Sequence, residues 1–115
     1  MSDTLETAHG HRLRGEYEEA EAAYRQILAC EPNNAAAFWG LGHTLMNLGD
    51  FDNCESSFLQ AVELDGENPL YLLDLAKFLT MLGEYERAKP FFEAVVEKAD
   101  NDRLISEAKK QLSYF

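Results

Sequence analysis

Large apolar residues recur along this chain at helical spacing, in blocks divided by short polar turns. Phe38, Leu41, Gly42 and Leu45 form one such stripe, and Leu72, Leu75, Ala76 and Leu79 repeat it 34 residues later. Spacings of three and four place each set on one face of an amphipathic helix. Each stripe ends at a turn of one pattern, Gly, acid, aromatic, acid: Gly15-Glu16-Tyr17-Glu18, Gly49-Asp50-Phe51-Asp52 and Gly83-Glu84-Tyr85-Glu86. A small residue follows five positions after each glycine (Ala20, Cys54, Ala88), an aromatic four further on (Tyr24, Phe58, Phe92), and then Ile27, Ala61 and Val95. These columns predict a second helix in every period. The glycine stops the first helix because left-handed torsions cost least without a side chain. The acids that follow complement the positive end of the next helix dipole.

The pattern predicts an all-α chain: one domain over residues 1–115, with repeats at 1–34, 35–68 and 69–102 and a capping helix at 103–115. The cap carries Leu104, Ala108, Leu112 and Phe115 on one stripe, with Arg103, Lys109 and Lys110 outside. It is read as the natural C-terminal end of the array. Pro90 falls early in a predicted helix, where a local adjustment rather than a break is expected. The first repeat offers Thr4, Thr7 and His11 where the others have bulky apolar residues, so its first helix should pack less firmly.

Charge narrows the function classes. The net charge is -11, and residues 35–68 hold six acids and no Lys or Arg. Phosphate backbones and anionic lipid are recognised through clustered cations, so neither nucleic acid nor membrane is an expected partner. No apolar run approaches a membrane span, and the N-terminal residues lack the form of a signal peptide, which makes the cytoplasm the expected location. Cys30 and Cys54 form no Cys-x-x-Cys pair, and both read as small buried hydrophobes with free thiols. Phosphate-loop, nucleophile-elbow and zinc-protease patterns are absent from the sequence, so no catalysis and no cofactor are expected. His9 and His11 lie two apart on a helix and diverge, and no third ligand accompanies His43, so no metal site is expected.

With these columns in place, residues 1–102 resemble three tetratricopeptide repeats. The second matches best, with Phe38, Leu41, Gly42, Leu45, Gly49, Phe51, Phe58, Ala61 and Asp65 where the family expects large, large, small, large, Gly, aromatic, aromatic, small and acid. It departs at Cys54, for alanine, and at Gly66, for the closing proline. The resemblance implies a right-handed superhelical solenoid whose first helices line a concave groove. At the matching positions stand Ser2, Leu5, His9 and Arg12, then Trp39, His43, Met46 and Asn47, then Leu70, Leu73, Lys77 and Met81. Leu5, Trp39 and Leu73 share one apolar column, to which Leu13, Met46, Leu70 and Met81 add. Phe38 takes the core aromatic position, so Trp39 reads either as packing between helices or as an anchor for a partner. His9, His43 and Lys77 form a basic column with Arg12 beside it, read either as a receptor for acidic residues or as unconnected solvated side chains.

The implied function is a non-catalytic adaptor or scaffold holding an extended or helical segment of another protein, apolar with acidic residues. Two specialised relatives are disfavoured by residue. The clamp for chaperone C-terminal carboxylates needs Lys, Arg and Asn where Leu5, His9, Gly40, Leu70 and Asp74 stand. The asparagine ladder of Ser/Thr glycosyltransferase repeats is replaced by Glu6, Gly40 and Asp74. The chaperones of type III secretion translocators look similar in repeat number, acidity and Gly40-Leu41-Gly42, and give the alternative reading of a client chaperone. A third reading is a structural repeat, monomeric or weakly self-associating through its N-terminal repeat.

Overall fold

The computed structural model describes residues 4–115, so Ser2 lies outside the described residues. Among these there are seven helices and no strands: α1 (Leu5–Leu13), α2 (Tyr17–Cys30), α3 (Ala35–Leu48), α4 (Phe51–Leu64), α5 (Pro69–Met81), α6 (Tyr85–Lys98) and α7 (Asp102–Leu112). They fall into two compact units, Met1–Leu64 and Asp65–Phe115. The division coincides with the turn between the second and third periods.

Local chemistry sets the helix ends. Gly15, Gly49 and Gly83 take φ of 78°, 82° and 81°, and a Cβ at any of them would meet nothing within 4 Å. Torsion, not crowding, therefore reserves these positions for glycine. Thr4, Asn34, Asn68 and Asn101 cap α1, α3, α5 and α7, each side-chain oxygen accepting a bond from a first-turn N–H. Pro69 follows its cap at a first-turn position, where a missing N–H costs nothing. α6 runs unbroken through Pro90, whose side chain faces solvent.

In the first unit Ala8, Ala20, Tyr24, Ile27, Leu41, Leu45, Cys54, Phe58 and Ala61 are all buried. Small residues meet aromatics at both close crossings: the Tyr24 ring lies against Gly40 and the Phe58 ring against Gly42. Thr44, fully buried, returns its hydroxyl to the Gly40 carbonyl at 2.9 Å. As expected, α1 is thin, nine residues long with only Ala8 buried. Cys54 is buried, and burial with the nearby Asp50 and Glu55 carboxylates pushes its thiol up to about 12. Cys30 corrects the sequence reading, for it is exposed. It ends α2 beyond Ile27, the last buried residue of the stripe. Phe38, expected in the core, is half-buried.

The second unit packs α5 against α6 and α6 against α7. α5 buries Tyr71, Leu72, Leu73, Leu75, Ala76, Phe78 and Leu79, covering most of its circumference. Lys98 pairs with Glu67 at 3.0 Å and Lys77 with Glu107 at 2.8 Å, tying α6 and α7 to the rest of the unit. α7 buries Leu104 and Ala108 but ends at Leu112. Phe115 therefore leaves the predicted helical stripe and turns back onto α6, its ring 5.8 Å from Phe92 and 6.0 Å from Tyr85. No helix among the described residues is long and apolar enough to cross a membrane.

Candidate functional site

The site in the first unit begins with a missing side chain. Gly40 has no Cβ, so the Tyr24 ring of α2 passes beside α3 and carries its hydroxyl toward α1. There the hydroxyl meets two groups on successive turns of α1, Arg12 and His9. Arg12 Nε donates to the Tyr24 oxygen at 3.2 Å. A guanidinium only donates, so the Tyr24 oxygen is the acceptor toward Arg12, and the same hydroxyl shares a hydrogen bond with His9 Nδ1. Burial first, and then the Arg12 charge, hold His9 below the ordinary histidine value. Burial also raises the Tyr24 phenol, against the opposing influence of Arg12, so both groups are neutral near neutrality.

The sign of the resulting pH dependence follows directly. Above the ordinary histidine value of 6.5, His9 is neutral in both folded and unfolded chains, and its contribution to stability is whole. As pH falls through that value, the unfolded chain takes up a proton that the folded chain resists, so stability declines until His9 is protonated in both. Denaturant midpoints at about pH 7.5 and 5.5 should therefore differ less in His9→Gln than in wild type. Equal pH dependence in both would show that His9 makes no contribution.

Trp39 on α3 completes the cluster. The Arg12 guanidinium carbon sits 4.9 Å from the Trp39 ring centroid, a cation over an aromatic face. His43 approaches the same indole edge-on at 5.0 Å and His9 at 5.8 Å, and the His43 ring meets Phe58 at 5.1 Å. Trp39 is half-buried, so packing accounts for part of its surface and the remainder is open. Among the described residues Arg12 has no carboxylate partner, whereas Arg14 pairs with Glu16 and Arg25 with Glu21. His11 turns away to Glu16 at 2.9 Å, as the sequence predicts for two histidines two residues apart.

The remaining expected residues divide. Leu5 and Met46 are half-buried in the first unit, and Leu13 is exposed. Asn47 is exposed and donates to the His43 carbonyl at 2.8 Å. In the second unit Leu70 is half-buried and Met81 exposed, but Leu73 keeps only 2% of its surface. Leu73 is thus a packing residue, because α5 is apolar nearly all round and is enclosed accordingly. Lys77, expected to extend the basic column, is engaged by Glu107. Tyr24 is the residue that sequence reasoning placed only in the core. Its signal is a hydroxyl at a position where the other periods have Phe58 and Phe92.

Solved structures carry the same arrangement of helices. The type III secretion translocator chaperone SycD of Yersinia enterocolitica is 20% identical, with a TM-score of 0.88 over 96% of this chain and 79% of that one. The same chaperone in complex with a peptide of the translocator YopD is 21% identical, with a TM-score of 0.81 over 96% and 84%. The second TPR of Spaghetti (RPAP3) bound to the HSP90 peptide SRMEEVD is 24% identical, with a TM-score of 0.75 over 82% and 87%. At these identities the likeness is one of fold. No curated protein sequence matches the chain. The all-α helical-repeat reading and the tetratricopeptide resemblance hold. With the match extending over residues 5–113, the chain belongs to the family of the cilia and flagella-associated protein 70 middle TPR-like domain.

Proposed function

We propose that the chain is a non-catalytic protein-interaction module that holds a segment of a partner protein against the α1 and α3 face centred on Trp39. The observation that carries this is the half-open indole with Arg12 over its ring and His9 and His43 at its edges. Trp and Arg dominate the energetics of protein interfaces, and here they stand together on two neighbouring helices. The segment is apolar with acidic residues, in keeping with the half-buried Leu5 and Met46 and the cationic Arg12 of the same unit.

Structures of this fold hold a translocator peptide and an HSP90 peptide, which supports the binding role. The residues that would clamp a terminal carboxylate are replaced by Leu5, His9, Gly40, Leu70 and Asp74, so the partner is engaged along its length and not by its end. The family description directs the search to ciliary and flagellar proteins. The free thiols fit a reducing, cytoplasmic setting. A second reading, a chaperone for one client, is favoured by the likeness to the translocator chaperone at a TM-score of 0.88.

Affinity capture from extracts of flagellated cells, with wild type and Trp39→Ala side by side, tests the module. A partner retained by wild type and lost by Trp39→Ala at unchanged helicity supports it. Equal retention by both proteins removes the α1 and α3 face from the function. Co-purification that maintains one client in solution separates the chaperone reading from an adaptor joining folded proteins.

A further inference from the structure

We infer that Arg12 is the receptor for a side-chain carboxylate of the bound segment, and that Tyr24 is the residue that positions it. This rests on the binding face proposed above and names the chemistry read at one point of it.

Tyr24, Phe58 and Phe92 occupy one column, and their relative exposures are 0%, 1% and 0%. Packing at this column is satisfied by phenylalanine in two of three cases, so the hydroxyl of Tyr24 serves something other than packing. Burying a hydroxyl costs free energy unless it is bonded. Its bonds go to His9 and Arg12.

The consequence for Arg12 is a fixed pose. Nε is held by Tyr24 at 3.2 Å, and the guanidinium carbon rests 4.9 Å above the Trp39 ring centroid. With Nε engaged, the two terminal nitrogens keep four N–H donors in the plane that accepts a bidentate carboxylate. Arg12 has no carboxylate partner among the described residues, although the chain holds 21 acidic residues against 10 basic ones. In so acidic a protein, a half-buried guanidinium kept from every described carboxylate and pinned over an indole is preorganised for one arriving from outside. The carboxylate belongs to Asp or Glu next to a large apolar residue, since the guanidinium donors and the half-buried indole stand together.

Selection from a randomised short-peptide library displayed on phage tests this with wild type, Trp39→Ala, Tyr24→Phe and Arg12→Gln. Wild type is expected to enrich peptides with Asp or Glu beside a large apolar residue. Tyr24→Phe restores the side chain found at the same column of the other periods, so it should fold and melt nearly as wild type does. It should keep the apolar preference and lose the acidic one, as should Arg12→Gln. For a selected acidic peptide, Tyr24→Phe should weaken binding on the order of tenfold, while the Glu-to-Gln twin peptide binds both proteins equally. Apolar enrichment without acid in wild type, or acid enrichment unchanged in Tyr24→Phe, overturns the assignment and leaves the binding face standing. Absence of any enrichment in wild type overturns the face itself, and the assignment with it.

Discussion

Replacing Gly40 with alanine is expected to destabilise the protein by about 1–3 kcal/mol, the usual cost of overpacking. In an open helix the same change would stabilise by about 1 kcal/mol. The sign reverses because the added Cβ would stand 2.5 Å from Tyr24 Cε1 and closer still to Cζ and the hydroxyl oxygen. A flexible side chain could swing aside, but this ring is buried and its hydroxyl is held by Arg12 and His9. Relief of the clash must therefore break those bonds or part α2 from α3. Gly10→Ala supplies the contrast within the same unit, because its Cβ would meet only the mobile end of Arg14, at 3.2 Å. Thermal unfolding should place Gly40→Ala below wild type and Gly10→Ala level with or above it. A Gly40→Ala protein that melts with wild type would mean that Tyr24 moves freely and positions nothing.

Phe58→Ala is expected to cost more, about 3–5 kcal/mol, the range for deleting a buried aromatic. Phe58 is 1% exposed, its ring lies where a Cβ on Gly42 would be 2.6 Å from Cδ1, and it meets the ring of His43. Glycine at position 42 brings the helix backbone up to the ring, so on that side there is no side chain to refill the space. Against a typical total of about 5–15 kcal/mol, the loss should leave the first unit marginal. Circular dichroism during denaturant titration should show its helices melting well before those of wild type. Leu59, next in sequence but 36% exposed, provides the control, and Leu59→Ala should change stability by no more than about 0.5 kcal/mol. Equal effects of the two substitutions would contradict the assignment of buried and open faces on α4.

Much of this organisation is legible before any coordinates. The recurrence of Gly15, Gly49 and Gly83 places the turns, and the columns headed by Ala20 and Tyr24 mark the buried face of α2 and its counterparts. Those features are local: helical periodicity and the torsions of glycine act within a few residues. Errors begin where a neighbour must be known. Cys30 carries the chemistry of a buried residue, but α2 ends there and nothing covers it. Leu73 reads as groove surface because it shares the repeat position of Leu5 and Trp39, yet α5 is apolar on so many sides that it is enclosed. Phe115 fits the stripe of α7 by number, but the helix stops at Leu112 and the chain turns.

The site shows the same division. His9, Arg12, Trp39 and His43 are legible as neighbours from position, since residues of one helix face recur at known intervals. Their roles are not, because charge pairing depends on groups far along the chain. Lys77 resembles His9 and His43 in sequence and is taken up by Glu107, thirty residues away.

The repeat, with its period of 34, its paired helices, its turns and its aromatic columns, is written locally, a consequence of backbone hydrogen bonding and the alternation of apolar faces. The use of the Tyr24 hydroxyl depends instead on segments far apart in the chain. The space beside Gly40 lets it reach α1, hold Arg12 over Trp39 and leave that arginine without an acidic partner among the described residues. No local pattern contains that outcome, because it requires three helices to meet at one point, and packing alone brings them there.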